Sequence, residues 1–564
     1  MNETRERLIR VANGDEIADL VLRGGQVFNV FTRTLERADV AIADGLIAAV
    51  GEGYEGREVL DVSGRIVCPG FIDGHIHLES SMVLPTEFAR AVAPHGTTTV
   101  VTDPHEIANV MGTDGIRYML QATAGLPLDV QVMLPSCVPA TPLDESGATL
   151  TAAALRPFYG QARVLGLAEM MNYVGVVGCD GDVLQKLSDA RAHGAPIDGH
   201  APGLTGRALN AYIAAGIGTD HECDNLAEAQ EKLARGQVIL IRNGTAAHNL
   251  EALAPLLHPP LDARCAFATD DKHPNDLLRG GHIDGLLRDA VAFGADPASA
   301  LCAATWNAAV CFGLRDRGAV APGLRADLTV IDDMRTFTVS AAVQAGRVTV
   351  RDGALCPFTP SAVDEALERA ARDTFHLRAL LTAADFAPAR RGVLRLVPGQ
   401  LRTEAAGFAD APDVAADRLT LAVAERHHAT GHIGVGYVEG YGLTRGAVAV
   451  SVAHDSHNLI VVGCTPADMA QAANAVADMR GGIAVVADGK VTASLPLPVA
   501  GLLSDRPLAE VDAALTAAKA AARTLGVSAD IDPFMTLSFL SLPVIPSRRV
   551  TTQGVFDVDA WKYL

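Results

Sequence analysis

The amino-acid sequence predicts an α/β protein: a (β/α)8 TIM-like barrel with a small discontinuous β-sandwich domain and an extra C-terminal α/β domain. Three observations lead there. Between residues 66 and 313, short apolar runs alternate with stretches whose apolar residues recur every three or four positions. Short strands broken by Asp-Gly and Gly-Gly turns precede that region and return after it. Further β-rich runs and helices follow Pro357-Phe358-Thr359-Pro360, and 564 residues accommodate three units: 1–65 plus 314–356, 66–313 and 357–564.

In chain order, residues 1–19 read as a short helix. From Asp19 to Asp61, runs such as Leu20-Val21-Leu22 and Leu46-Ile47-Ala48-Ala49-Val50 read as hairpin strands too few to stand alone. Arg65 to Ile76 reads as one buried strand ending in His75-x-His77. Thr97–Val101, Asp129–Leu134, Val164–Ala168, Pro196–Gly199, Gly216–Asp220, Gln237–Ile241 and Cys265–Thr269 follow as strands. Between them Pro85–His95, Val183–His193, Thr205–Ala215 and Asn225–Gly236 carry helical spacing. A doubly wound sheet is the rival, but no Gly-x-Gly-x-x-Gly follows the first strand. Residues 314–355 supply partner strands for the N-terminal ones. In the last unit, Val393–Val397, His432–Val438, Ala447–Val452 and Leu459–Val462 read as strands, and Pro466–Met479 as a helix.

Composition narrows function. A net charge of −20 with no basic run argues against nucleic acid, and 5% aromatic residues supply no stacking platform. No apolar stretch reaches 18 residues, so no membrane partner is expected. Nine cysteines, an odd number without C-x-x-C, read as unpaired thiols of a cytoplasmic protein, and the charged N-terminus carries no signal-peptide pattern.

Residues at the carboxyl ends of barrel strands converge on one face. There stand His75 and His77 (strand one), Glu169 (four), His200 (five), His221 (six) and Asp270 (eight). Singly, each histidine is equally readable as a polar loop residue. A carboxylate ending an apolar strand, as at Glu169 and Asp270, needs a cation. Together they make a six-ligand N/O set for two divalent metal ions if one carboxylate bridges. With no thiolate offered, the set suits Mn(II), Fe(II) or Zn(II). His105 and Glu106 end strand two as candidates to polarise a substrate or relay protons. Ser136 ends strand three, and Arg242 and Asn243 end strand seven, as candidate substrate contacts.

These residues resemble the amidohydrolase superfamily, as do Pro69-Gly70-Phe71-Ile72-Asp73 and Pro322-Gly323-x-x-Ala326-Asp327-Leu328. Within it the chain looks like the bacterial adenine deaminases, nearly end to end. The specific motifs are His75–Ser81, Thr102–Ile107, Ala168–Asn172, Asp198–Pro202, Thr269–Pro274 and His454-Asp455-Ser456-His457-Asn458. The resemblance implies hydrolytic deamination of adenine to hypoxanthine and ammonia by a metal-bound hydroxide, with Asp270 taking its proton. It implies Glu169 where many relatives use a carbamylated lysine, Mn(II) or Fe(II) in preference to Zn(II), a purine base as the small-molecule partner, and a homodimer. A dihydropyrimidinase-type opening of a cyclic amide needs the same ligands. An inactive scaffold should have lost ligands, and none of the six is missing.

Two features stand apart. Gly431–Gly440 is glycine-rich but strand-like, without the helix a phosphate cradle needs. His454-x-x-His457 reads as an ordinary polar loop or as one reaching the barrel mouth, where His457 would contact substrate.

Overall fold

The computed structural model describes residues 2–245, 247–398 and 400–564. Eight parallel strands form the barrel: β1 (Phe71–Ile76), β2 (Thr97–Thr102), β3 (Asp129–Leu134), β4 (Val164–Met170), β5 (Ile197–Gly199), β6 (Thr219–Asp220), β7 (Val238–Arg242) and β8 (Cys265–Ala268). They make two curled sheets, β5-β4-β3-β2-β1 and β6-β7-β8. The sheets meet where the Gly218 N–H donates to Ile197 O (3.0 Å) and the Asp270 N–H to His75 O (3.0 Å). Ile72, Val101, Met133, Ala168, Leu240, Ala266 and Phe312 share one interior core, a packed plug rather than a pore. Small Ala residues on β4 and β8 leave the room that Met133 and Phe312 fill.

The run from Arg65 is not one strand. Pro69 cannot donate to a ladder, and Gly70, lacking a side chain, lets the backbone cross against Thr98. Ile66–Pro69 therefore pairs with Leu328–Ile331 and Gln26–Asn29, and the barrel begins at Phe71. The sandwich stacks a seven-stranded sheet, which contains that strand, on a four-stranded one. Leu20, Val40 and Ile47 from one sheet pack with Val67, Leu328 and Val343 from the other.

The C-terminal unit is an eight-stranded, mainly antiparallel sheet. Helix Pro466–Asp478 covers one face with alanines and Met469. On the other, Leu419, Val448 and Ile460 join helix Leu508–Thr524 and the barrel in one core. The glycine-rich run is strand Ile433–Glu439, and Gly434 lies directly against the Thr551 carbonyl, where any side chain would collide. Its glycines serve close packing. All nine cysteines are unpaired. Among the described residues, no helix is long and apolar enough to cross a membrane.

Candidate metal centre

His75 and His77 leave the end of β1 on the same side of the chain, as alternation requires. The His75 Nδ1–H donates to Asp198 Oδ2 (2.7 Å), and the His77 Nδ1–H donates to Asp103 O (3.0 Å). Each acceptor fixes a tautomer, leaving both Nε2 atoms as bare lone pairs. Those lone pairs lie 3.2 Å apart. Glu169 Oε1 and Asp270 Oδ1 stand 3.3 and 3.2 Å from His77 Nε2. Four such atoms converging repel one another unless a proton or a metal cation is shared among them.

The second half gathers on the other oxygen of Glu169. His200 Nδ1 lies 2.7 Å and His221 Nε2 3.2 Å from Glu169 Oε2, and 3.3 Å from each other. His221 Nδ1 is buried without a partner. Glu169 thus faces both halves, as a bridging carboxylate must, and all six expected ligands meet. His200 is the most open, with 24% of its side chain exposed.

The electrostatics agree. Burial disfavours charge on His77, yet the Asp270 and Glu169 carboxylates outweigh it and hold the ring well above its ordinary range. Burial works likewise against His200, but the Glu222 and Glu169 carboxylates lift it to about 9. Burial alone would raise Glu169; the facing histidines, His200 foremost, pull it well below the usual carboxylate range. The pocket calls for positive charge, and this donor set fits divalent ions.

Asp270 has a left-handed φ of 58°, which a short polar side chain tolerates. It is gripped from behind by Arg242, whose guanidinium also chelates Glu222. Arg242 therefore orients Asp270 instead of standing open to a ligand. The side chains of Ser136 and Asn243 are engaged by other partners. The Ser136 hydroxyl donates to the Glu169 carbonyl, tying strand ends together, and Asn243 meets the ring of exposed His248 at 3.1 Å. His105 and Glu106 do lie at the mouth: His105 Nδ1 is 3.5 Å from Glu169 Oε1, and its Nε2 is 3.3 Å from Glu106 Oε1.

The C-terminal loop reaches this mouth. His454 Nδ1 lies 2.6 Å from Glu106 Oε1, and the His457 Nε2–H donates to Glu106 Oε2. These are metal-type donors, but His457 Nδ1 accepts the Ala453 N–H (3.2 Å). The His457 proton therefore sits on Nε2, making this a hydrogen bond to Glu106 and not a third metal site. Two orienting residues escaped the sequence reading. Asp198 had a signal, lying on β5 two positions before His200, which follows the strand end. Glu222 had none.

Comparison with known proteins follows this division. The "Amidohydrolase family" model matches residues 66–349, and the "Adenine deaminase C-terminal domain" model matches 400–562. An adenine deaminase of Nitratidesulfovibrio vulgaris is 49% identical over 567 residues, covering 99% of this chain and 98% of its own. An "Adenine deaminase 2" of Carboxydothermus hydrogenoformans is 48% identical, covering 98% of each. One from Bacillus velezensis is 44% identical, covering 100% and 99%. With the mouth of the barrel and the C-terminal sheet both matched, the chain belongs to the amidohydrolase family and, within it, to the adenine deaminases.

Proposed function

We propose that this chain hydrolyses adenine to hypoxanthine and ammonia, with His75, His77, Glu169, His200, His221 and Asp270 holding two divalent cations. Mn(II) or Fe(II) would be held there, with Zn(II) compatible, and such ions would supply the Lewis acidity that makes water nucleophilic at neutral pH. The observation that carries the reading is the pair of bare His75 and His77 nitrogens converging with two carboxylates, inside a chain nearly half identical to named adenine deaminases.

Attack at C6 of the purine requires a proton to leave water and another to reach the departing amine. Asp270 Oδ1 faces the ligand cluster while Arg242 pins Oδ2, so Oδ1 takes and returns the proton. Burial opposes charge on Glu106, but His454, His457 and His105 hold it well below the usual carboxylate range. An anion there accepts a hydrogen bond from the purine, and His105, its Nδ1 3.0 Å from Asp103 Oδ2, turns Nε2 toward Glu106 to carry a proton at the mouth. Ser136 and Asn243 have no substrate role in this reading. The relatedness to bacterial adenine deaminases supports a cytoplasmic homodimer as part of this proposal.

The test is ammonia release from adenine by Mn-loaded protein, set beside ring opening of hydantoin and dihydrouracil. Deamination of adenine at least about 10²-fold faster than either ring opening is expected. Ring opening without deamination would overturn the assignment.

A further inference from the structure

The loop carrying His454 and His457 is held from behind by an arginine with an unusual set of partners. Arg426 is fully buried. Its Nε–H donates to His457 O (2.5 Å), Nη1–H to Thr374 O (3.2 Å) and Nη2–H to Ala500 O (3.0 Å). The guanidinium also lies over the Phe375 ring, 5.1 Å from its centroid. Among the described residues no carboxylate pairs with it. Neighbouring Glu425 is spent on the N–H groups of His427, His428 and Thr430. Burial without an anion lowers the Arg426 pKa to about 9, so it remains charged near neutrality. A buried charge answered only by carbonyls is a costly way to obtain stability. What it secures is position, because a planar fork can bind three carbonyls that a lysine cannot.

The three carbonyls come from three separate segments, and one belongs to His457 itself. His457 has a left-handed φ of 53°, a conformation that L side chains adopt at a cost. Adjacent residues complete the clamp. His427 Nε2–H donates to Ser456 O (2.7 Å), and Asn458 Oδ1 accepts the Arg426 N–H (3.3 Å). Asn458 Nδ2–H in turn donates to Glu145 O of the barrel unit (2.8 Å). Gly501 lies against the guanidinium, where a Cβ would come within 2.9 Å of it.

We infer that Arg426 is the positioning residue that seats His457 on Glu106, so that the C-terminal unit completes the active site. This rests on the deaminase reading for its kinetic consequences but not for its structural ones.

The test compares Arg426→Lys with Arg549→Lys, each as the full-length Mn-loaded protein. Arg549 is an equally buried guanidinium bound to Thr403, Arg548, Leu401 and Pro546, and among the described residues it makes no hydrogen bond to 453–458. Below the melting temperature of both variants, Arg426→Lys should lower kcat for adenine about 10²-fold with KM within threefold, the scale of an ångström-sized misplacement. Arg549→Lys should keep kcat within twofold. Combined with His457→Gln, Arg426→Lys should cost nothing further, because both act through one contact. Amide exchange across 453–458 should rise at least about 10-fold in Arg426→Lys alone, a reading that needs no activity. If adenine is not a substrate, the parent shows it at once, and the exchange comparison still decides the positioning role. Unchanged exchange, equal kcat in the two lysine variants, or additive losses in the double variant would overturn it.

Discussion

At the scale of single residues, the site is decided by where protons sit. Asp198 and the Asp103 carbonyl take the Nδ1 protons of His75 and His77 and so turn both Nε2 lone pairs inward. Removing one acceptor should be felt at the metal and not in the fold. Asp198→Asn should weaken metal retention about 10–100-fold, read as metal content after dialysis, because an amide no longer enforces the tautomer. Asp270→Asn should lower kcat by at least about 10³-fold with the fold retained. Retained turnover there would remove Asp270 as the proton acceptor. The convergence of the six candidate ligands was legible from sequence because each stands at the end of an apolar strand, and strand ends converge. Ser136 and Asn243 also end strands, yet packing turned them to the Glu169 carbonyl and to His248. Strand-end position sets neighbourhood, while the direction of a side chain past the last ladder residue depends on the loop.

At the scale of elements, the two ends of the barrel do different work. Asp129 opens β3 at the closed end, where Arg317 (2.6 Å) and Arg325 (2.8 Å) bind its carboxylate and fasten the segment returning to the sandwich. Burial would raise its pKa, but the two guanidinium groups outweigh that and depress it. A depressed carboxylate stabilises the fold above its unfolded pKa and loses that contribution as pH falls through the folded value. Asp129→Asn should therefore cost roughly 2 kcal/mol at pH 7, less than a pair broken outright because Asp316 still holds Arg317. The deficit should shrink below about pH 4, where the carboxyl begins to protonate in the unfolded parent chain, while kcat and KM for adenine stay unchanged. Denaturant unfolding at pH 7 and pH 3.5 checks both halves. The alternation of strands and helices was readable throughout this region. The break at Pro69-Gly70 is not legible in the apolar pattern, since the run continues across it while the hydrogen-bonding partner changes.

At the scale of the whole molecule, the barrel mouth is finished by the C-terminal unit. Glu106 and its partners His454 and His457 are 348 and 351 positions apart. His457→Ala should therefore reduce kcat/KM for adenine about 10²-fold while metal content is retained. Unchanged kcat and KM would mean that the loop is only a cover. Chelation should lower the melting temperature and Mn(II) should restore it, because ions bound only by the folded chain add their binding free energy to its stability. A scan with and without a chelator measures the shift.

What the sequence determined by itself was local and periodic. It carried the alternation that makes eight barrel strands, the discontinuous sandwich that needs strands from both sides of the barrel, and the ligand-type residues at strand ends. These follow from side-chain periods of 2 and 3.6 and from the cost of a buried carboxylate, which are written in neighbouring residues. Only the tertiary structure decided that Glu169 faces both halves of the cluster, that Arg242 serves Asp270, and that Arg426 can hold a distant loop onto Glu106. Those outcomes depend on which lone pair meets which proton across segments hundreds of residues apart, and hydrogen-bond direction at that range leaves no periodic trace in the chain.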